Sequence, residues 1–118
     1  MKVFILIMGV IELLAGLLLF LAPTVAPGLE DLSITGITLA RMYGGAALAV
    51  GWFAIQTWKN MVLVLVQSCL KTFAVFHIGV SIATFLGYNA GMQDFLPVSI
   101  LHGLLAVLSV YFLVQKKG

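Results

Sequence analysis

The chain has little charge, little proline and almost no cysteine. Only 8% of its 118 residues are charged, whereas about a quarter are charged in a typical soluble domain. The basic residues are too few and too scattered to form a nucleic-acid-binding surface. The single cysteine, Cys69, excludes an intrachain disulfide and a CxxC redox pair. These shortages exclude nucleic-acid-binding proteins and disulfide-stabilised scaffolds.

Hydrophobic residues are abundant instead. They make up 63% of the chain, and the mean hydropathy is +1.20. A single domain of this length cannot remove so much apolar surface from water, because its surface is large relative to its volume. We therefore expect one domain that has the lipid bilayer as its solvent.

Four apolar runs are each long enough to cross a bilayer as a helix. Continuous apolar runs favour helices over the alternating strands of a membrane barrel. Glu12 near the centre of the first run argues against a cleaved signal peptide. The sequence predicts an all-α fold, an integral membrane antiparallel four-helix bundle, with helices over residues 3–22, 38–58, 61–86 and 96–114.

The lysines predict the orientation of the helices. With four spans, one side of the membrane holds both chain ends and the connection around Lys59. Lys2, Lys116 and Lys117 lie on that same side. Positive residues are retained on the cytoplasmic side of a membrane. We therefore expect both termini to be cytoplasmic and the membrane to be a bacterial inner membrane.

Three charged residues fall within the predicted spans. Glu12 and Lys71 lie at matching depths, roughly 15 Å from the cytoplasmic ends of their helices at 1.5 Å per residue. They are predicted to form a buried ion pair, or Glu12 is a coupling carboxylate for protons or cations. Arg41 lies near the outer end of the second helix. There it is expected to contact a lipid phosphate or a partner, to pair with an acidic residue of the loops, or to extend to the interface.

Two histidines, His77 and His102, also lie within apolar runs and at similar predicted depth. Neutral imidazoles are ligands of haem iron and of chlorophyll-type magnesium. The pair is therefore either a cofactor-binding site or a hydrogen-bonded packing contact. A zinc site is not predicted, because a structural site uses four nitrogen or sulfur ligands and Cys69 lies about two turns from His77.

Small residues recur on one face of the first and second helices. Gly9 and Gly16 share the face of Glu12, and Gly44, Ala47 and Gly51 follow helical spacing in the second helix. Small residues let membrane helices approach closely. We therefore expect these five residues to be helix-packing positions.

The stretches GVIELLAGLLLFLAP and LARMYGGAALAVGWF resemble the DoxX-like group, in a branch of small four-helix bacterial membrane proteins. The more specific part is in the second helix, at Arg41, Tyr43, Gly44, Gly45 and Gly51. The resemblance implies a four-helix bundle that acts as an accessory subunit of a larger membrane assembly, in some members of an oxidoreductase complex. The chain departs from the branch at His102, where an acidic residue is common.

The leading functional hypothesis is a structural or accessory subunit of a larger membrane complex, redox or photosynthetic, or of a homo-oligomer. One alternative is a haem- or chlorophyll-binding electron- or energy-transfer subunit that uses His77 and His102. A second is a proton-coupled transporter centred on Glu12, because small multidrug-resistance transporters also have four spans and a glutamate in helix one. Those transporters lack a lysine or histidine in their chamber, unlike this chain with Lys71. The sequence contains no recognisable nucleophile–base pair that would indicate an enzyme.

Overall fold

The computed structural model describes residues 1–115 of the chain. The prediction of an all-α fold is confirmed, since these residues form four long helices, one short 3₁₀ helix and no strand. Lys116 and Lys117, which entered the prediction of orientation, lie outside the described residues. The helices are α1 (Lys2–Leu21), α2 (Ile34–Asn60), α3 (Leu63–Asn89) and α4 (Phe95–Gln115).

The described part of the chain divides into two compact units, Met1–Val62 and a second unit that begins at Leu63. The first unit contains α1 and α2 and is called here the N-terminal hairpin. The second contains α3 and α4 and is called the C-terminal hairpin. Within each unit the two helices pack extensively against each other.

Glycines bring α1 and α2 of the N-terminal hairpin into backbone contact. A Cβ atom added at Gly44 would lie 2.8 Å from the carbonyl oxygen of Gly16, and one added at Gly51 would lie 2.9 Å from that of Gly9. The early part of one helix thus faces the late part of the other, so the two helices are antiparallel. Ala47, between the two glycines of α2, is fully buried.

The ends of α2 have specific caps. Ser33 accepts a hydrogen bond from the backbone nitrogen of Gly36 at 3.2 Å, as an N-cap serine does for an otherwise unsatisfied donor. Met61 ends the helix in the left-handed conformation, with φ of 41°. The connection between α1 and α2 contains the 3₁₀ helix Pro23–Val25.

A tight turn joins the helices of the C-terminal hairpin. The backbone nitrogen of Met92 donates to the carbonyl oxygen of Gly87, and Gly91 adopts a φ of 106°. Glycine is the residue that takes this conformation without a steric penalty. The ring of Phe95 packs over Gly87, where an added Cβ would lie 2.6 Å from its Cδ2.

Three of the helices, α1, α3 and α4, are long and apolar enough to cross a membrane. The helix α2 is longer than α1 but is not among them. Its sequence includes Arg41, Lys59 and four glycines, and glycine contributes little hydrophobicity. The residues that allow close approach to α1 are thus the residues that lower the hydropathy of α2.

Candidate functional site

The two histidines of the C-terminal hairpin contact each other directly. The Nδ1 atoms of His77 on α3 and His102 on α4 lie 2.8 Å apart, which is hydrogen-bonding distance. Their ring centroids are 5.0 Å apart, and the ring planes are inclined by 36°. His77 is fully buried, and His102 is half-buried.

A hydrogen bond between two Nδ1 atoms restricts the protons of the pair. One ring must donate through Nδ1–H and the other must accept through an unprotonated Nδ1. When both rings are neutral, the accepting ring therefore carries its proton on Nε2. The pair consists of two different tautomers of the same side chain.

Two serines hold α3 and α4 together one turn from the histidine pair. The Ser81 hydroxyl donates to the carbonyl oxygen of Ser99 at 2.9 Å, and the Ser99 hydroxyl donates to that of Ser81 at 2.8 Å. Gly103 leaves room for this contact, because an added Cβ would lie 3.3 Å from the Ser81 hydroxyl oxygen. Reciprocal hydrogen bonds of this kind fix the register of the two helices beside the imidazoles.

Aromatic rings of α3 restrict the orientation of His77. The ring of Phe76 meets the imidazole edge-on, with centroids 5.4 Å apart, and the Phe73 centroid lies 6.0 Å away. Phe73 is itself fully buried. Packing against these rings restricts the side-chain conformations that are open to His77.

A haem does not fit between the two histidines as they are placed. Metal–imidazole bonds are about 2 Å long, so axial nitrogens on opposite faces of one iron are about 4 Å apart. The distance between the Nδ1 atoms of His77 and His102 is 2.8 Å, and no macrocycle could lie between rings in hydrogen-bonding contact. A chlorophyll-type pigment needs only one imidazole, and its binding stays a prediction.

The other charged residues predicted as sites differ in burial. Glu12 on α1 is buried, with 2% of its surface exposed. Lys71 on α3 and Arg41 on α2 are both exposed. The ion pair between Glu12 and Lys71 stays a prediction, as does a contact of Arg41 with lipid or with a partner.

An apolar groove runs along the C-terminal hairpin beside the serines. Its volume is about 310 Å³. Ser81 contributes a hydroxyl to it, and that hydroxyl is already bonded to Ser99. The other lining residues carry no reactive group; they are Ile78, Ile82, Gly103, Ala106, Val107 and Val110.

Helical spacing in the sequence places Ser81 on the face of His77 and Ser99 on the face of His102. It does not predict which atoms of the two faces meet. The contacts of Phe73 and Phe76 with His77 were missed, because aromatic residues in apolar runs usually face lipid or the core. Helical spacing was a usable signal for Phe73, which lies four residues before His77.

No family model, no curated protein and no solved structure matches this chain.

Proposed function

We propose that the chain is an integral membrane protein in which all four helices cross the bilayer, with both termini in the cytoplasm of a bacterium. Three helices meet the requirements of length and hydropathy. The fourth, α2, packs antiparallel to α1 through Gly9, Gly16, Gly44 and Gly51. A helix in backbone contact with a spanning helix over two turns shares its depth in the membrane.

Labelling of single cysteines tests this topology. Cys69 is first replaced by alanine, and a cysteine is then introduced by Ser33→Cys or Lys59→Cys, one at each end of α2. A membrane-impermeant maleimide should label Ser33→Cys in intact spheroplasts, and Lys59→Cys only after lysis. Labelling of both variants from the same side would contradict a spanning α2.

Within this membrane the chain acts as a structural or accessory subunit that packs against a larger complex or against its own copies. The observation that carries this proposal is the glycine contact of the N-terminal hairpin combined with outward apolar side chains. Backbone contact leaves little freedom between α1 and α2, while Leu14, Leu21 and Leu39 are more than half exposed. A rigid hairpin with apolar outer faces presents a defined surface to other membrane helices.

The short connections also support a packing role. The helices are joined by residues 22–33, 61–62 and 90–94. These segments provide little surface outside the membrane for binding a soluble substrate. The hydrogen bond between His77 and His102 joins α3 to α4 and supports a packing role for the pair.

Crosslinking in intact cells tests the packing role. With an amine- and photo-reactive crosslinker, the wild-type chain should form a discrete product with a partner or a second copy. Gly44→Ala should reduce this product because it forces α1 and α2 apart, and Gly45→Ala should preserve it because nothing lies within 4 Å of an added Cβ there. Equal crosslinking in both variants, or no product in the wild type, would refute the proposal.

The transporter alternative is distinguished by Glu12→Gln. A packing subunit carrying this change should support the same proton-coupled uptake and drug resistance of the cells as the wild type. Loss of an uptake activity that depends on Glu12, with unchanged crosslinking, would instead establish a transporter.

A further inference from the structure

We propose that His77 and His102 form a binding site for a divalent transition-metal ion, bound through the Nδ1 atoms of both rings. The starting observation is the convergence of two imidazole nitrogens from different helices to 2.8 Å. This inference goes beyond a packing role and does not depend on it.

The distance between the nitrogens selects the arrangement of ligands. With metal–nitrogen bonds of about 2.0–2.1 Å, two adjacent ligands lie about 2.9 Å apart at a right angle and about 3.3 Å apart at a tetrahedral angle. The observed 2.8 Å is therefore close to the spacing of adjacent ligands. To admit an ion, both rings must also rotate until their Nδ1 lone pairs point at a common position, while the nitrogen pair opens by a few tenths of an ångström.

The protons of the two imidazoles can be rearranged so that a metal ion replaces the hydrogen bond between them. Each Nδ1 atom must be unprotonated to coordinate, so both rings must carry their proton on Nε2. The ring of the pair that accepts the hydrogen bond already has this tautomer when neutral. The donating ring moves its proton from Nδ1 to Nε2, so metal binding requires no net loss of protons from the two imidazoles.

The ligand type indicates the class of ion. Imidazole nitrogen suits zinc, cobalt, nickel and copper(II), whereas magnesium and calcium prefer oxygen ligands. Cys69 lies eight residues before His77 on α3, about 12 Å along the helix at 1.5 Å per residue, so a thiolate ligand is remote. The remaining coordination positions would be taken by water or other oxygen ligands.

The surroundings make this a prepared site. Phe73 and Phe76 restrict the ring of His77, and the reciprocal bonds of Ser81 and Ser99 hold the two helices in register one turn away. A bound ion would add a further link between α3 and α4. Binding should therefore stabilise the folded C-terminal hairpin in proportion to the occupancy of the site.

Metal binding to the full chain in lipid nanodiscs tests the proposal. The protein is purified without a histidine tag, stripped with a chelator, and titrated with Co²⁺ while its visible d–d absorption is recorded. We expect one Co²⁺ per chain, displaced by an equivalent of Zn²⁺. X-ray absorption of the zinc-loaded wild type should show scattering from two imidazoles.

Three variants identify the ligands. His77→Gln and His102→Gln should each weaken Co²⁺ binding by about tenfold or more, because each removes a ligand directly and outer-shell changes alone cost about 10- to 100-fold. Cys69→Ala, the matched control, should bind as tightly as the wild type. Circular dichroism and gel filtration establish that each variant is folded.

Several results would contradict a metal site formed by His77 and His102. A wild type that binds no stoichiometric Co²⁺, or whose zinc shows fewer than two imidazoles, would overturn the proposal even if the glutamine variants fail to fold. Affinity unchanged in folded His77→Gln or His102→Gln would identify adventitious binding elsewhere on the chain. Loss of binding in Cys69→Ala would also contradict a site formed by the histidines.

Discussion

Replacement of Gly44 by alanine perturbs the contact between α1 and α2 at its closest point. The added Cβ would lie 2.7 Å from the backbone nitrogen of Phe20, 2.8 Å from the carbonyl oxygen of Gly16 and 3.0 Å from the carbonyl carbon of Leu19. All three are backbone atoms, so no side-chain rotation relieves the overlap. Because contacts between carbon atoms become favourable at about 3.5 Å, the approach to the Leu19 carbonyl carbon alone requires the helices to separate locally by roughly 0.5 Å or more.

The size of the effect follows from two opposing contributions. Overpacking a close contact typically costs about 1–3 kcal/mol, while alanine is favoured over glycine within a helix by about 0.5–1 kcal/mol. Gly45→Ala receives the same helical gain without the overlap, since nothing lies within 4 Å of its added Cβ. The difference in unfolding free energy between the two variants should therefore be about 1–3 kcal/mol.

Unfolding by sodium dodecyl sulfate in mixed micelles, followed by circular dichroism, measures this difference. Gly44→Ala should unfold at a lower detergent fraction than the wild type, and Gly45→Ala at an equal or higher one. Gly16→Ala should lower the stability less in the Gly44→Ala variant than in the wild type, because the helices of that variant have already separated. Equal stability of Gly44→Ala and Gly45→Ala would refute a backbone contact at this position.

Three further predictions concern other contacts. Ser81→Ala and Ser99→Ala should each cost about 0.6 kcal/mol, a typical hydrogen bond between membrane helices, because each removes a hydroxyl that donates to the backbone carbonyl of the other residue. Unchanged stability of both variants in the same unfolding assay would argue against these hydrogen bonds. Gly87→Ala should destabilise the turn by less than Gly44→Ala, since its added Cβ meets a Phe95 ring that can rotate, and thermal unfolding no different from Gly44→Ala would contradict this. Lys2→Met should cost about 0.5–1 kcal/mol by removing a cation that lies 5.7 Å from the centroid of the Trp58 ring, and unchanged tryptophan fluorescence and stability would argue against that contact.

The existence of four long helices could be predicted from hydropathy alone, but their ends depended on local interactions. The second helix begins at Ile34, four residues before the predicted start, because Ser33 caps it. Threonine and glycine in its first turn lower the local hydropathy, so hydropathy alone does not predict this start. The helix α3 extends to Asn89, beyond the predicted end at residue 86, because the chain turns only at Gly91.

The meeting of the two histidines could be anticipated only in part. Counting residues from the connection between α3 and α4 places His77 and His102 at similar depth, because the helices run in opposite directions. Direct contact between their Nδ1 atoms at 2.8 Å depends on the rotation of each helix and on side-chain rotamers. The helix rotations and the rotamers are set by packing, including the packing of Phe76 and Ser81. They cannot be predicted from the periodicity of the sequence.

A chain that functions by packing against other membrane helices should be part of a larger assembly, so the mass of the complex that contains it tests the proposed function. Native mass spectrometry of complexes released from native membranes would determine it. We expect a discrete assembly in which the 12.7 kDa chain is bound to a larger protein or to further copies of itself. Recovery of the chain only as a folded monomer with lipid would refute a packing function.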